Sequence, residues 1–487
     1  MSTVEPGLVR APEPAMPQRR TRIIATLGPA CDSYDQIAEL MRAGADIFRI
    51  NASHADPDTQ AQYVQLIRKC SRDCDTHTGI LLDLQGPKIR LGTFRSGSAS
   101  ITKEQRFRIT TQEVMGTTAQ ASTTYENFAH DVRAGDRVLL ADGAVELTVL
   151  DTDGVSAVCR VIRGGVLCDH QGINLPGTNL SAPALTEKDR NDLEQGLRQH
   201  VDMIALSFVR CAADIWSLRE TLNQESIAIP IIAKIERPEA WQRIDEIIQA
   251  SDGVMVARGD LGVEMSMGEV PHIQKTVIEK ARQHNRFAIT ATQMLESMME
   301  NPVPTRAEVS DITNAVYDGT DAVMLSGETA RGKHPVDSVR TMSEIARVAE
   351  LHSPIYESQL TNRNLIGHTE VIADAACRMA SSGGIEAIVV FTQSGQTAHL
   401  IAARRPIVPI LAFAPADSVA RQLSAWFGVT PLVAPTFESL ERMTEYMDRE
   451  ITARARVQAG SHILFVAGDQ LGRSGATNML KVHLVSG

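Results

Sequence analysis

The amino-acid sequence predicts an α/β protein: a TIM (β/α)8 barrel with a small all-β domain inserted into it and an open α/β domain after it. Apolar runs rich in β-branched residues alternate with helical patterns along most of the 487 residues, as they do in parallel sheets with helical crossovers. Three strand–helix units precede residue 91 and five follow residue 185, which together make the eight of a barrel. Between these groups the pattern changes to short alternating runs, which indicate a separate β domain.

The barrel is predicted at residues 21–90 and 186–353. Its strands are expected at residues 21–27, 47–50, 79–84, 203–208, 229–234, 253–256, 287–290 and 322–325. A helix closed by a glycine is predicted at residues 34–43, and residues 237–250 are predicted as one helix because apolar residues recur there at helical spacing. The carboxyl ends of barrel strands form one face, so side chains that follow each strand are candidates for a functional site.

The inserted domain is predicted at residues 91–185. Its strands are expected at residues 106–110, 137–140, 146–150 and 157–162. Asp142-Gly143 is a hairpin signal, because both residue types tolerate the left-handed backbone of a tight turn. An insertion at the strand-end face of a barrel is positioned to act as a lid over the site.

The remainder of the chain, residues 354–487, is predicted as the open α/β domain. Its strands are expected at residues 387–391, 408–413, 430–433 and 462–466, and its helices at 371–381, 418–427 and 437–453. At the other end, residues 1–20 are rich in proline and carry no apolar segment. We expect them to form a disordered leader rather than a signal peptide.

The composition limits the classes of function. A formal charge of −11 argues against nucleic acid as the main partner, although local basic clusters still allow an anionic substrate. No apolar run is long enough to span a membrane. The seven cysteines are odd in number and form no paired CxxC arrays, so we expect reduced thiols in a cytoplasmic protein.

Charged side chains end two consecutive predicted barrel strands. Lys234 and Glu236 follow the first apolar run, and Asp260 follows the second. Two carboxylates and an ammonium at the same face suit a hard divalent cation beside an anionic substrate. A buried structural ion pair would give the same pattern, so both interpretations remain open at this point.

Other predicted strand ends add cations and hydroxyl groups. These residues are Arg49, Lys88, Arg90, Thr292 and Ser326. Arginine and lysine suit phosphate, and hydroxyls can bind substrate or relay a proton through water. The sequence shows no strong nucleophile with an adjacent base, and a lone histidine such as His54 is more often a structural hydrogen-bonding residue. This combination favours phosphoryl transfer by positioning and charge neutralisation.

Five motifs in this order carry a resemblance to a known family. They are IIAKIE at 231–236, VARGDLGVE at 256–264, TATQMLESM at 290–298, PTRAEV at 304–309 and DGTDAVMLSGET at 318–329. Together they closely resemble the pyruvate kinases of bacterial type, and the resemblance runs from about residue 20 to the C-terminus. It implies a glycolytic enzyme that uses Mg²⁺ or Mn²⁺ to transfer the phosphoryl group of phosphoenolpyruvate to ADP, giving pyruvate and ATP.

The resemblance also implies a role for each matching residue. The catalytic positions are Lys234, Arg49, Thr292, Ser326 and Lys88, with Lys234 touching the phosphoryl group in flight. The divalent-metal ligands are Glu236 and Asp260, and the substrate-binding positions are Ala257, Gly259, Asp260, Thr292, Arg49 and Lys234. The nucleotide-binding positions are Asn51, His54, Arg90 and Asp142.

Lys88 stands where the K⁺-dependent members of the family carry glutamate. Its ammonium can supply the positive charge that K⁺ supplies in those members, so we predict no K⁺ requirement and place the chain in the K⁺-independent subgroup. The other positions equivalent to the K⁺ site are Asn51, Ser53, Asp83 and Leu84. The alternative is that Lys88 lies on a solvated rim.

Gln171 stands where the family often has a lid lysine, which leaves the contact between lid and nucleotide open.

The C-terminal domain contains a hydroxyl-rich turn between a predicted strand and helix. Its residues are Thr392, Gln393, Ser394, Gly395, Gln396 and Thr397. In the family this loop binds the phosphate of an allosteric effector, although many such turns are ordinary helix caps. The later loop at 468–475 lacks the tryptophan with which some members hold fructose 1,6-bisphosphate, so we expect AMP or a sugar monophosphate. The family resemblance further implies a homotetramer.

Two other functions fit the predicted fold. One is a metal-dependent aldolase of 2-oxo acids, and the other is a catalytically silent homologue that only binds an effector. The predicted lid and the pair Lys88 and Arg90 argue against the aldolase, because an aldolase needs no second phosphate site. The presence of Lys234, Glu236 and Asp260 argues against the silent homologue.

Overall fold

The computed structural model describes residues 19–178, 180–353, 367–454, 456–469 and 475–486. The leader predicted at 1–20 therefore lies almost wholly outside the described residues. The first elements are β1 Arg22–Thr26, α1 Tyr34–Ala43, β2 Ile47–Asn51, α2 Pro57–Asp73 and β3 Gly79–Asp83. Helix α1 has the predicted bounds because Ser33 forms a capping box at its start and Gly44, at φ 120°, ends it.

A β domain follows β3 before the barrel resumes. Its elements are β4 Ser98–Ile101, β5 Arg106–Thr110, β6 Gln120–Ser122, α3 Phe128–Asp131, β7 Arg137–Leu140, β8 Val145–Thr152, β9 Ser156–Arg163, β10 Gly165–Cys168 and β11 Ile173–Asn174. Six of the strands form a sheet in the order β11-β7-β8-β9-β5-β6, and β4 pairs with β10. The four predicted strands and the Asp142-Gly143 hairpin are confirmed. The expectation of β structure alone misses α3, which is too short to show a helical period.

The chain then returns to alternating strands and helices. These elements are α4 Glu187–Arg198, β12 Met203–Leu206, α5 Ala212–Gln224, β13 Ile231–Ile235, α6 Pro238–Gln242, α7 Ile244–Ala250, β14 Gly253–Ala257, α8 Arg258–Glu264, α9 Val270–Gln283, β15 Phe287–Ala291, α10 Arg306–Asp318, β16 Ala322–Leu325, α11 Gly327–Ala330 and α12 Pro335–Leu351. A 3-10 helix covers Glu296–Met299. The prediction of one helix at 237–250 is wrong, because Arg243 leaves the helical region at φ −115° and ψ 25° and separates α6 from α7.

Eight parallel strands close into a barrel in the order β1-β16-β15-β14-β13-β12-β3-β2, as the sequence predicts. The last strand pairs with the first, with Arg22 opposite Ala322. Apolar side chains fill both faces of the barrel sheet, such as Ile24 inside and Ile23 against the helices. All eight strands point the same way, so Arg49, Lys234 and the residues after β14 meet at one end of the barrel.

The C-terminal domain is an open sheet covered by helices. Its elements are α13 His368–Ser381, β17 Ala387–Phe391, α14 Gln396–Ala402, β18 Ile410–Ala414, α15 Asp417–Leu423, β19 Val429–Val433, α16 Leu440–Ala453, β20 His462–Ala467 and β21 Met479–Leu484. The strand order is β19-β18-β17-β20-β21. Strand β21 was not predicted: it runs antiparallel at the edge and interrupts the strand–helix alternation.

Among the described residues, no helix combines the length and apolar character needed to cross a membrane.

The C-terminal domain closes the amino end of the barrel. The Trp426 ring lies edge-on to the Phe287 ring at the start of β15, with 5.0 Å between centroids. The His399 ring stacks on the Trp426 ring, with 3.8 Å between centroids, and hydrogen-bonds the Asn285 carbonyl. The Arg421 Nε atom lies 2.8 Å from the Asp202 carboxylate at the same interface. The two domains are therefore joined by aromatic packing and a buried carboxylate.

Replacing His399 with glutamine is expected to make stability less sensitive to acid. Burial lowers the pKa of His399 from 6.5 to about 4, although the Asn285 carbonyl acts in the opposite direction. Above pH 6.5 the ring is neutral in both states. As the pH falls from 6.5 to about 4, His399 binds a proton in the unfolded chain but not in the folded one. This difference lowers the free energy of unfolding by about 3 kcal/mol at pH 4.

Urea unfolding at pH 7 and pH 4 measures this effect. His399→Gln should lose less stability between the two pH values than the parent, and the exposed-residue control His130→Gln should follow the parent. If the parent and His399→Gln lose the same free energy of unfolding between pH 7 and pH 4, the interface does not keep the proton from His399.

Candidate active site

Lys234 lies at the centre of a buried network at the carboxyl end of β13. Its ammonium nitrogen is 2.9 Å from Glu236 Oε1 and 3.2 Å from Asp83 Oδ1, and it donates to Ser207 Oγ at 2.7 Å. Burial opposes the charge, but Asp83 and Glu236 outweigh it and raise the pKa of Lys234. Lys234 therefore carries a fixed positive charge at the strand-end face.

Arg49 approaches the same network from β2. Its Nε atom lies 2.7 Å from Asp83 Oδ2, and its Nη1 atom donates to Thr26 Oγ1 at 3.2 Å. Burial would raise the pKa of Asp83, but the charges of Lys234 and Arg49 outweigh burial and lower it. Asp83 is thus an ionised carboxylate between two cations, which holds both of them at the site.

Glu236 and Asp260 follow neighbouring strands and form the predicted pair of carboxylates. Glu236 accepts a hydrogen bond from the Phe208 N–H at 2.8 Å besides its contact with Lys234. Burial and the charge of Asp260 together raise the pKa of Glu236, although Lys234 acts against them. A divalent cation would relieve this repulsion, and carboxylate oxygens are the donors that Mg²⁺ and Mn²⁺ prefer.

The two carboxylates are too few to enclose a metal. Among the described residues, no group of three or more His, Cys, Asp or Glu side chains is arranged to hold a metal ion. A cation held by Glu236 and Asp260 would therefore keep open positions for substrate oxygens and water. Such a site suits Mg²⁺ in phosphoryl transfer, where substrate supplies part of the coordination.

The turn after β14 and the loop after β15 are held together beside Asp260. The Gly259 N–H donates to Thr292 Oγ1 at 2.7 Å, and the Thr292 hydroxyl donates to the Ala291 carbonyl at 2.6 Å. Arg258 fixes this arrangement by donating to the Thr292 carbonyl at 2.8 Å. The structure thus brings together Ala257, Gly259, Asp260 and Thr292, which the sequence assigns to substrate binding.

Ser326 follows β16 at the same end of the barrel. Its hydroxyl oxygen is buried and has no hydrogen-bond partner among the described residues. Its N–H donates to Glu328 Oε2 at 2.8 Å, while Glu328 Oε1 accepts the Leu295 N–H at 3.0 Å. Glu328 therefore ties the Ser326 loop to the loop that carries Thr292 and leaves the Ser326 hydroxyl able to bond a substrate or water.

The positions equivalent to a monovalent-cation site are already partly satisfied within the protein. The Asn51 Oδ1 atom accepts the Ser53 N–H at 3.1 Å, and the Leu84 carbonyl accepts the Ser207 hydroxyl at 2.7 Å. Lys88 is half-buried and has no ion-pair partner in the part of the chain that the structure describes. It lines a small cavity between the barrel and the inserted domain together with Asp260.

The predicted nucleotide residues fall into two groups. Partial burial and the charges of Arg90, Arg49, Lys88 and Arg331 lower the pKa of His54, so His54 lies in a positively charged environment. Asp142 instead lies at the tip of the β7–β8 hairpin and lines a cleft of about 890 Å³ that also contains Gly259 and Asp260. No described contact joins Asp142 to Asn51, His54 or Arg90.

Gln171 is used within the inserted domain. Its side-chain oxygen accepts the Cys168 N–H at 2.9 Å, and its carbonyl accepts the Leu91 N–H at 2.8 Å. The neighbouring His170 carbonyl accepts a hydrogen bond from Arg90 Nη1 at 3.0 Å. Gln171 therefore supports the segment that meets Arg90 rather than offering a charge to the nucleotide.

The hydroxyl-rich turn of the C-terminal domain borders a cavity of about 210 Å³. The cavity contains five of the six predicted residues, namely Thr392, Gln393, Ser394, Gln396 and Thr397. Gly395, at φ 84°, forms the bend of the turn and lines a separate cavity at the barrel interface. Phe413 and Phe437 line the opposite side, and no lysine or arginine is among the described lining residues. Part of the predicted loop at 468–475 lies outside the described residues.

Sequence reasoning missed Ser207, Phe208 and Glu328. Ser207 follows β12 and could have been found by the same strand-end rule that identified Lys234. Phe208 contributes only its backbone N–H, and no side-chain chemistry points to it. Glu328 lies within a recognised motif, but its two backbone partners are visible only in the folded chain.

Comparison with known proteins identifies the family. Residues 18–339 match the family model described as pyruvate kinase, barrel domain, and residues 370–483 match the pyruvate kinase alpha/beta domain. The chain is 44% identical over 468 residues to a pyruvate kinase of Corynebacterium efficiens, covering 96% of this chain and 98% of that one. It is 43% identical over 471 residues to a pyruvate kinase of Mycobacterium tuberculosis, with the same coverage.

A solved structure agrees with these matches. A pyruvate kinase from Cryptosporidium parvum superposes with a TM-score of 0.89 at 33% identity, covering 96% of each chain. Members of this family are transferases (EC 2.7.1.40) that depend on a divalent metal and interconvert phosphoenolpyruvate and ADP with pyruvate and ATP. The barrel, the C-terminal sheet and these matches together show that the chain belongs to the pyruvate kinase family of bacterial type.

Proposed function

We propose that this chain makes pyruvate and ATP from phosphoenolpyruvate and ADP with Mg²⁺, without K⁺, and under the control of a phosphorylated effector. The observation that carries this proposal is the buried Lys234 ammonium, held by three acceptors beside the carboxylates of Glu236 and Asp260. A fixed cation next to two hard oxygen donors suits a transferring phosphoryl group, whose charge must be neutralised while it moves.

Each residue then has a defined task. Lys234 and Arg49 bind the phosphate and stabilise its charge during transfer, because Asp83 keeps both cations in place. The turn at Ala257, Gly259 and Asp260 and the Thr292 hydroxyl would receive the substrate carboxylate, which would replace the hydrogen bond between the Gly259 N–H and Thr292 Oγ1. Glu236 and Asp260 would hold Mg²⁺, or Mn²⁺ in its place. When bound, either ion would supply positive charge that stabilises the negative charge developing on the substrate.

Delivery of a proton to the product side requires a hydroxyl close to the substrate. The Ser326 hydroxyl is buried and has no partner among the described residues, and the loop that carries it is tied to the Thr292 loop through Glu328. Ser326 and Thr292 are therefore assigned to hold the water that protonates the departing enolate. The reaction consumes one proton, which comes from the solvent and reaches the enolate carbon through this water, so that the water is left neutral.

On the nucleotide side, the cluster of Arg49, Lys88, Arg90 and His54 would receive the ADP phosphates. Because the pKa of His54 is lowered, its ring is neutral at pH 7. One ring nitrogen can then donate a hydrogen bond and the other can accept one. Asn51 supports this cluster from the end of β2, and Asp142 approaches from the hairpin tip when the inserted domain closes as a lid.

Independence from K⁺ follows from the charges already present. Asp83 faces two protein cations, and Lys88 adds a third positive group on the cavity that contains Asp260. A monovalent cation would have to compete with these groups for Asn51, Ser53, Asp83 and Leu84. Three of these residues, Asn51, Asp83 and Leu84, already accept hydrogen bonds from the protein. The built-in cations therefore replace K⁺.

The test is pyruvate formation from phosphoenolpyruvate in buffer free of K⁺ and NH₄⁺. Full activity with Mg²⁺ and ADP, without a further increase on adding K⁺, is the expected result. Strong activation by K⁺ would remove the role assigned to Lys88. Release of pyruvate without ADP would instead support the aldolase. If no pyruvate forms, even when AMP or a sugar monophosphate is added, the result would support the catalytically silent homologue.

The C-terminal cavity is proposed to bind AMP or a sugar monophosphate through its hydroxyl groups. The Thr392 Oγ1 atom accepts the Gly395 N–H at 3.0 Å, which fixes the turn, and Ser394 is exposed at its tip. The described lining offers hydroxyls and aromatic rings but no cation, so it suits one phosphate better than two.

Ser394→Asp is expected to abolish activation by either effector, because a carboxylate in the turn repels a phosphate. The measurement is the phosphoenolpyruvate concentration for half-maximal rate with and without effector, and the two values should coincide in this variant. Ser382→Asp, another exposed serine of the same domain, serves as the control and should keep the response. A normal response in Ser394→Asp would place the effector elsewhere.

The proposed homotetramer and cytoplasmic location have their own support. Strand β21 lies at a sheet edge, with Val482 46% and Leu484 54% exposed, so its free edge could pair with a second copy. All seven cysteines are free thiols, as expected in a reducing compartment. Light scattering with size-exclusion chromatography measures the mass, and a monomer in solution would contradict the assembly.

A further inference from the structure

We propose that Ser207 and Phe208, the two residues that follow β12, position the Lys234–Glu236 pair for catalysis. We call this dipeptide the Ser207–Phe208 corner. Its serine side chain contacts Lys234, and its phenylalanine N–H contacts Glu236. The inference rests on the proposed roles of Lys234 and Glu236, and it adds a positioning element on a neighbouring strand to the residues that touch substrate.

Ser207 completes the hydrogen bonding of the Lys234 ammonium. An ammonium has three hydrogens, and its acceptors here are Asp83, Glu236 and the Ser207 hydroxyl oxygen, which at 2.7 Å is the shortest contact of the three. Ser207 is 2% exposed and donates its own hydrogen to the Leu84 carbonyl at 2.7 Å. Because this donor position is occupied, the serine oxygen presents its lone pairs to Lys234.

The neutrality of this third acceptor matters for the charge at the site. Asp83 and Glu236 balance the charges of Arg49 and Lys234. A third carboxylate at the position of Ser207 would oppose the approach of an anionic substrate, whereas a hydroxyl fixes the ammonium without adding negative charge. Ser207 therefore holds Lys234 in place and leaves its charge available to the phosphoryl group.

Phe208 adds a second contact through a strained backbone. Its φ of 55° lies in the left-handed region, which costs a bulky residue free energy and persists only where the surroundings hold it. The turn directs the Phe208 N–H to Glu236 Oε2 at 2.8 Å, while Lys234 contacts the other oxygen, Oε1. The corner thereby fixes the orientation of the Glu236 carboxylate as well as the position of the ammonium.

Loss of the Ser207 hydroxyl has a predictable consequence. With one acceptor removed, the ammonium retains only the two carboxylates and is drawn towards them. It would then lie further from its position for phosphoryl transfer, and it would compete more strongly for Glu236. Both the rate and the affinity for a divalent cation should fall, while the binding of phosphoenolpyruvate through other residues should change little.

The experiment compares Ser207→Ala, Ser207→Thr and the control Ser338→Ala. Ser338 is also buried, and its hydroxyl also donates to a carbonyl, that of His334 at 2.8 Å. We expect Ser207→Ala to lower kcat by about 10- to 100-fold with KM for phosphoenolpyruvate within about threefold, since displacements near 1 Å at a reacting group have effects of this size. Ser207→Thr keeps the hydroxyl and should recover most of kcat, and Ser338→Ala should match the parent.

Mn²⁺ binding, followed by electron paramagnetic resonance without substrates, provides a readout independent of turnover. Ser207→Ala should bind Mn²⁺ more weakly than Ser338→Ala and the parent. Unchanged kcat in Ser207→Ala, unchanged Mn²⁺ affinity, or an equal loss in Ser207→Ala and Ser207→Thr would each overturn the proposal. If Lys234→Met is inactive while Ser207→Ala is normal, only this inference fails; an active Lys234→Met would instead reject the proposed role of Lys234.

Discussion

Replacing Lys234 with methionine is expected to lower kcat by about 10²- to 10⁴-fold, because it removes the charge that we propose stabilises the transferring phosphoryl group. Methionine keeps much of the volume of the side chain, so the buried space between β13 and its neighbours stays filled. The loss should be in kcat more than in KM for phosphoenolpyruvate, since the other proposed substrate contacts, Arg49 and the turn after β14, are unchanged. Steady-state kinetics of pyruvate formation measure both constants.

A matched variant separates catalysis from the general loss of an ion pair. Lys280 on α9 pairs with Asp245 on α7 at 2.6 Å, and both residues lie on helices rather than at the strand ends. Lys280→Met should therefore keep kcat within about twofold of the parent, because partly exposed ion pairs contribute little to stability. Turnover of Lys234→Met within tenfold of the parent would reject the role assigned to this lysine.

Replacing Lys88 with glutamate is expected to lower activity in K⁺-free buffer by about 10²-fold, because a positive group in the cleft becomes a negative one. The cavity that Lys88 lines already contains the carboxylates of Asp260 and Glu264. A third negative charge there would repel both phosphate substrates, and K⁺ should restore part of the activity by neutralising it. The measurement is kcat/KM for phosphoenolpyruvate and for ADP over a series of K⁺ concentrations.

The control for this experiment is Lys103→Glu, which makes the same charge change at an exposed position of the inserted domain. It should behave as the parent at every K⁺ concentration. The parent itself should show no stimulation by K⁺. A Lys88→Glu variant that is fully active without K⁺ would show that the ammonium does not act as the built-in cation.

Much of the fold was predictable because the barrel strands are buried on both faces. All eight were placed within two residues of their observed ends, since continuous apolar runs bounded by turn residues leave little ambiguity. The break at Arg243 was not predictable, because the apolar spacing continues across it and only backbone geometry separates α6 from α7. Strand β21 has the alternation of an edge strand, but its antiparallel pairing with β20 depends on tertiary contacts.

The candidate site was predictable wherever a charged side chain follows a strand. Lys234, Glu236 and Asp83 meet as this rule implies, because parallel strands end at one face. The rule did not show that Asp83 bridges Arg49 and Lys234, since a contact between β2, β3 and β13 depends on the closure of the barrel. It also could not identify the left-handed Phe208, whose contribution comes from its backbone.

The aromatic contact at the amino end of the barrel has a mechanical consequence. Phe287, which touches Trp426, begins β15, and Ala291, whose carbonyl accepts the Thr292 hydroxyl, ends it. Trp426 also lines an interdomain cavity with Gly395, the bend of the hydroxyl-rich turn. One five-residue strand, about 16 Å long, thus joins the amino end of the barrel to the loop that carries Thr292. No loop therefore separates the contact with the C-terminal domain from Thr292: Phe287, at one end of β15, packs on Trp426, and Thr292 directly follows the other end.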